Sequence, residues 1–200
     1  MDLLRSTILT DTCNLSPAAK KATQLDISIL ELIEKILPKP QLARKDVFDN
    51  ISQAKRSIDG FTVDQLFRKD LKIVPFSDEI QAAVPSTLLL SGHIFELHKG
   101  QNFEKIFDNF CQRYECQLLI VIGNDHGERD ILFYYPESQN QSSKLIGQFV
   151  ESLINNVDID AKESKKASPS RCVLIEQGNV TYTRKKILPI LLHASKNEHS

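Results

Sequence analysis

The run "QLLIVIG" at 117–123 constrains the fold more than any other stretch of this chain. It is apolar throughout, the pattern of a central strand buried on both faces. The turn-rich "GNDHGERD" (123–130) and the strand-like "ILFYYP" (131–136) follow it, and the pair reads as an antiparallel hairpin. "KIVPF" (72–76), "QAAVPSTLLL" (81–90) and "RCVLIE" (171–176) supply further strands, and "DAKESKKASPS" (160–170) reads as a polar loop. Between them lie helical patterns. "TVDQLFRKD" (62–70) has Thr62 as cap and Gln65 in the capping-box position. "NFEKIFDNFCQRY" (102–114) carries Phe103, Ile106, Phe107 and Phe110 on one face. "SSKLIGQFVESLI" (142–154) and the apolar run after residue 184 complete the set. From residue 62 onward the expectation is α/β, a mixed β-sheet flanked by helices.

The first 58 residues read differently. "STILTDT" (6–12) has the look of a short strand, "DISILELIEKIL" (26–37) of a helix capped by Asp26 and stopped by "PKPQ" (38–41), and "KDVFDNISQAKRSI" (45–58) of a second helix. "DGFT" (59–62) suits a turn or linker. A strand with no sheet to join is a liability, so this segment is expected to be a strand-plus-helices remnant of a larger domain.

A net charge of −1 leaves no global field to hold nucleic acid, so any anion site must be local. No apolar run has membrane-spanning length, and "MDLLRSTILTDT" lacks the basic start and long apolar stretch of a signal peptide. Cys13, Cys111, Cys116 and Cys172 show neither a CxxC pair nor a framework spacing. They read as free thiols in a reducing cytosol, and zinc is not expected.

"VTYTRKKILP" (180–189) places Arg184, Lys185 and Lys186 ahead of the last helix. Cations are unfavourable at a helix N-terminus. A bound phosphate reverses that sign, since Arg grips phosphate oxygens in a fork and Lys adds a compact charge. A solvated surface turn explains the run as well. Arg68, Lys69 and Lys72 in "LFRKDLK" (66–72) form a second basic group, open to the same two readings. Asp11 ends the first expected strand, a frequent position for a metal ligand and for a turn residue alike. Asp125 and His126 are better explained as turn residues. His93 and His98 lack a tight metal spacing, and Cys111 suits a packed helix face.

The stretches "TILTDTCNLSPAAKKAT", "FDNISQAKRSIDGFTVDQLFRKDLK", "LLIVIGN" and "QGNVTYTRKKILPILLHA" occur in an order that resembles the C-terminal part of DHH-family phosphoesterases. The branch is that of prune-like exopolyphosphatases and manganese-dependent (family II) inorganic pyrophosphatases, with the prune-like group the nearer. The resemblance covers nearly the whole chain. It implies a C-terminal remnant of a DHH catalytic domain at 1–58, a DHHA2 domain at 59–196 and a tail at 197–200. In this family a pair of divalent metals, Mn²⁺ or Mg²⁺, activates a bridging water against a phosphoanhydride, and the DHHA2 domain closes over the site and clamps the phosphate chain. By motif, Asp11 matches a metal ligand, Lys72 the lysine of the "DxK" segment, and Arg184 and Lys185 the substrate-gripping pair, with Thr183 in place of the family's serine. The upstream histidine and aspartate motifs have no match here. One carboxylate cannot build a two-metal site, so no catalytic residue is assigned and the chain alone is expected to be inactive. The implied partners are pyrophosphate or short polyphosphate and a protein partner, with no nucleic acid and no membrane, in the cytoplasm. The alternative is a non-catalytic module that binds polyphosphate or a partner.

Overall fold

The computed structural model describes residues 2–37, 42–58, 60–125, 127–136, 140–165 and 169–196, leaving aside the side chains of 56, 140 and 141. The expected helix stop at 38–41, Asp59 of the expected linker, His126 and the 197–200 tail, with His199, lie outside the described residues. The chain divides into two units, Met1–Asp59 and Gly60–Ser200.

The first unit has no strand among its described residues. The segment expected as a strand at 6–12 lies in α1 (Asp2–Asp11) and the turn after it. Its β-branched residues favour extended backbone by propensity. Here each threonine hydroxyl returns to the carbonyl four residues back: Thr7 to Leu3 at 2.9 Å, Thr10 to Ser6 at 2.7 Å and Thr12 to Ile8 at 2.7 Å. That back-bonding satisfies the hydroxyls within the helix, and α1 packs against α2 (Gln24–Ile36) and α3 (Arg44–Arg56). Tertiary packing thus overrides propensity. A short 3-10 turn at Pro17–Ala19 precedes α2. The cap of α2 is Thr23, and Asp26, expected as the cap, is the third helical residue and closes a capping box back to Thr23. Arg5 is buried and donates to Glu34 at 2.9 Å, and Arg44 donates to the same carboxylate at 2.6 Å. The Arg44 hydrogen bond is the main reason that the Glu34 carboxyl is held below the usual carboxylate range. Leu25, Ile29, Leu32 and Ile36 leave an apolar stripe of α2 exposed.

The second unit is built on a six-stranded sheet in the order β1-β2-β3-β4-β6-β5. The strands are β1 (Leu71–Pro75), β2 (Gln81–Thr87), β3 (Leu118–Asp125), β4 (Glu128–Tyr134), β5 (Ala161–Glu163) and β6 (Cys172–Gln177). Among the described residues only β2 and β3 pair in parallel, so the sheet is mixed. The apolar run becomes the interior strand β3, antiparallel to β4 across the expected hairpin. The loop expected at 160–170 contains the short edge strand β5, and the expected strand 81–90 ends at Thr87.

Helices cover both faces. On one, Val84, Ile120, Ile131, Phe133 and Ile175 form a core with Phe149 of α7 (Asn140–Ile154) and Ile187 and Leu191 of α8 (Arg184–Lys196). On the other, Phe67 of α4 (Val63–Arg68) stacks on Phe107 of α6 (Phe103–Arg113), and Phe107 meets Tyr134 of β4 edge-on at 5.1 Å. The expected Thr62–Gln65 capping box of α4 is formed in full. The helix α5 (Ser91–Leu97) is not anticipated by its sequence, because its N-cap residue Leu90 offers no side-chain bond. Its cap comes from a distance: Asp130 accepts the Ser91 N–H at 2.8 Å and the Ser91 hydroxyl at 3.1 Å. Gly123 makes room for that carboxylate. A Cβ there would lie 2.1 Å from Asp130 Oδ1 and 2.8 Å from the Leu89 carbonyl oxygen.

Candidate functional site

The start of β1, the end of β2 and the start of α8 come together at one end of the sheet. Lys72 stands opposite Val84. Side chains alternate along a strand and cross-strand partners share a face. Lys72 therefore lies on the face of Val74 and Phe76, which pack with the α7 and α8 core. Arg184, the first residue of α8, reaches the same place. Its Nη1 donates to the Asp70 carbonyl at 2.7 Å and to the Val84 carbonyl at 3.0 Å, and its Nη2 to Asp70 Oδ1 at 2.6 Å. The Arg184 side chain is 11% exposed and that of Asp70 57%.

The three cations of the run thus have three different settings. Arg184 is a latch between the last helix and the first two strands, with three of its five N–H donors engaged. Lys186 sits over the Tyr182 ring, 4.8 Å from its centroid. Lys185 is exposed, and neither it nor Lys72 has a hydrogen bond or ion pair among the described residues. Of the second basic group, Arg68 pairs with Asp64 at 3.0 Å and Lys69 lies over Phe61.

The loop that delivers the run is fixed from below. Gln177, at the end of β6, donates its amide to the Asn179 carbonyl and to the Tyr182 carbonyl at 2.9 Å. Asn179 donates to the Asp158 carbonyl at 2.7 Å and accepts the Thr181 hydroxyl at 2.8 Å. The helix starts at Arg184, with Thr183 contributing its carbonyl to the N–H groups of Lys186 and Ile187. No cap bond from the Thr183 hydroxyl forms among the described residues. Pro189 lies inside the helix, where its missing N–H leaves the Lys185 carbonyl without its usual donor.

Asp11, in the first unit, is exposed at the last position of α1 rather than at a strand end. Buried Thr12 follows, its hydroxyl accepting the Leu15 N–H at 3.2 Å. Cys13, Asn14 and Leu15 then take φ values of 51°, 56° and 57° in succession. Three consecutive left-handed non-glycine residues are uncommon and costly. Among the described residues no group of three or more His, Cys, Asp or Glu could hold a metal ion. Asp11 alone does not fit a two-metal centre.

The remaining candidates have structural settings. His93 contacts Asp125 at 3.1 Å, and His193 is exposed on α8. All four cysteines are free. Burial pushes the Cys111 thiol well up, the Cys116 thiol to about 11 and the Cys172 thiol to about 12. A pocket of about 540 Å³, lined by Glu96, Glu128, Arg129, Asp130, Asp160 and Glu176 among others, does not include Lys72, Arg184 or Lys185.

Against known proteins, the DHHA2 domain family matches residues 49–194. The chain belongs to the DHHA2 family. It is 28% identical over 198 residues to rat exopolyphosphatase PRUNE1 and 27% identical over 198 residues to the human protein. Each alignment covers 96% of this chain but only 41% of the rat and 42% of the human protein, so the chain spans about two fifths of the length of these relatives. Among solved structures, a Methanococcus jannaschii protein assigned to the family II inorganic pyrophosphatases superposes with a TM-score of 0.56 at 16% identity, over 96% of this chain and 54% of that one. At that identity the likeness establishes the fold. It agrees with the mixed α/β sheet flanked by helices. No helix of the described residues is long and apolar enough to cross a membrane.

Asp70 and Gln177 were not singled out from sequence. Asp70 stands in the quoted "RKDLK", but its role as the acceptor of Arg184 depends on a contact across 114 residues. Gln177 carries no local signal at all.

Proposed function

We propose that this chain is the substrate-clamping part of a metal-dependent phosphoanhydride hydrolase of the exopolyphosphatase or pyrophosphatase type. Lys72 and Lys185 bind phosphate oxygens of pyrophosphate or a short polyphosphate, and Arg184 adds its two remaining donors while latching the helix. The observation that supports this most directly is the meeting of Lys72 and Arg184 at Val84, with exposed Lys185 next in sequence. Asp11 serves as a ligand to Mn²⁺ or Mg²⁺ that needs further ligands from outside the described residues. The chain alone is therefore inactive. Free thiols suit a cytoplasmic setting.

The lack of a metal-holding cluster among the described residues favours one second reading, a non-catalytic module that holds polyphosphate or a protein partner. Calorimetric titration with pyrophosphate, with and without Mn²⁺, beside a phosphate-release assay separates the readings. The clamp predicts binding that weakens by about tenfold or more in Lys72→Ala/Lys185→Ala, because charge-assisted bonds contribute about 1.5–3 kcal/mol each. Equal affinity in the variant refutes the clamp. Hydrolysis that appears on adding a full-length relative whose own Lys and Arg clamp is removed favours the enzymatic reading; binding without restored hydrolysis favours the module.

A further inference from the structure

Arg5, Arg44, Arg68, Arg113, Arg171 and Arg184 each reach a carboxylate. Arg129 does not. Among the described side chains it is the arginine with no hydrogen bond or ion pair, and its Nε is buried without an acceptor. Burial weakens its hold on its proton, and the carboxylates that line the same pocket, Glu128, Asp130 and Glu176 among them, form no ion pair with it among the described residues. A partly buried cation left unmatched is costly, and such a cost persists where a ligand supplies the missing charge.

Its position says which ligand. Arg129 lies between Asn124 of β3 and Gln177 of β6 in the sheet register. Alternation along β4 puts it on the face of Ile131 and Phe133, the α7 and α8 face that also carries Lys72. Asp130 and Glu176 alternate onto the opposite face, where Asp130 caps α5. Gln177, the cross-strand partner of Arg129, is 5% exposed, has a buried Oε1 without a donor and holds the carbonyl of Tyr182, just ahead of the cation run. Arg129 is thus a fourth cation at the same end and face of the sheet. Lys72 shares its cross-strand row with Val84, Ile120 and Phe133, so Arg129 stands three strands across and four residues along from it, about 20 Å between backbones, farther than one pyrophosphate extends and bridged by a longer phosphate chain when both side chains extend toward it.

We propose that Arg129 is a specificity-determining residue that binds a phosphoryl group of the chain beyond those held by Lys72 and Lys185, and so favours polyphosphate over pyrophosphate. The proposal rests on the clamp reading above. The test compares wild-type chain with Arg129→Met, titrated with pyrophosphate and with linear tetrapolyphosphate, and melts both proteins in anion-free buffer. The expected result is a loss of about tenfold or more for tetrapolyphosphate against less than about threefold for pyrophosphate, with a higher melting temperature for Arg129→Met because the unmatched charge is gone. Equal losses for both anions, or no loss, overturn the role of Arg129 while leaving the clamp intact. A lower melting temperature in the variant shows that Arg129 is a structural group and also overturns it. A wild-type chain that binds neither anion overturns both this inference and the clamp.

Discussion

Arg184→Ala is the substitution whose effect can be worked through most fully. It removes two bonds to backbone carbonyls and one to a carboxylate from a side chain that is only 11% exposed. Breaking a buried ion pair costs about 3–5 kcal/mol, mostly through the charge left behind. Here the partner Asp70 is 57% exposed and returns to water, which lowers the cost. The Asp70 carbonyl also keeps the Ser86 N–H at 2.9 Å. The expected loss is therefore about 2–4 kcal/mol, or roughly 5–15 °C in melting temperature for a unit of this size. All four tyrosines lie beyond residue 60 and tryptophan is absent, so tyrosine fluorescence reports on this unit selectively. Urea unfolding followed by that signal measures the loss, and a cycle with Asp70→Ala apportions it. A loss below about 1 kcal/mol refutes the latch. The same reasoning makes Arg184→Ala a poor probe of phosphate binding, since it disturbs the start of α8; Lys72 and Lys185 are the cleaner pair.

Other outcomes follow from the same geometry. Gly123→Ala should cost about 1–3 kcal/mol or more by overpacking, because its Cβ meets the Leu89 backbone as well as Asp130; urea midpoints check this. Glu34 has a folded pKa held below its ordinary 4.5, so its contribution is present above that value and lost as pH falls below it. The far-ultraviolet helical signal should weaken below about pH 4.5 in wild type and less steeply in Glu34→Gln. At pH 8 the raised thiols of Cys111, Cys116 and Cys172 carry little thiolate, so they should alkylate slowly until the protein is unfolded, as mass spectrometry of iodoacetamide adducts would show.

Much of the second unit was legible from local pattern. β3 announces itself by a run with no polar residue until its end, and α4 by a capping box that forms as the spacing indicates. Signals that cross the chain were not legible. α5 takes its cap from Asp130, thirty-nine residues away, and β5 is too short and polar to differ from a loop. The segment 6–12 misleads because threonine propensity is a weak force beside burial of Leu9 and the Arg5 ion pair. At the candidate site the sequence brings Lys72, Arg184 and Lys185 to notice as cations, but not their division of labour. That Arg184 already has an internal partner and Lys185 does not depends on where Asp70 and Val84 sit, which only the sheet register determines.

The Arg184 latch also sets an order of events during synthesis. Its acceptors at Asp70 and Val84 are made 114 and 100 residues before the guanidinium that joins them. The β1–β2 ribbon emerges from the ribosome with that corner open, and it stays open through the making of every other strand. Closing so long a loop is among the slowest steps in the unit and adds little stability until it is complete. A nascent or shortened chain that stops before residue 184 keeps an edge strand without its fastening and exposes it to proteases and to other strands. The fastening of the first two strands thus depends on the last helix to be made.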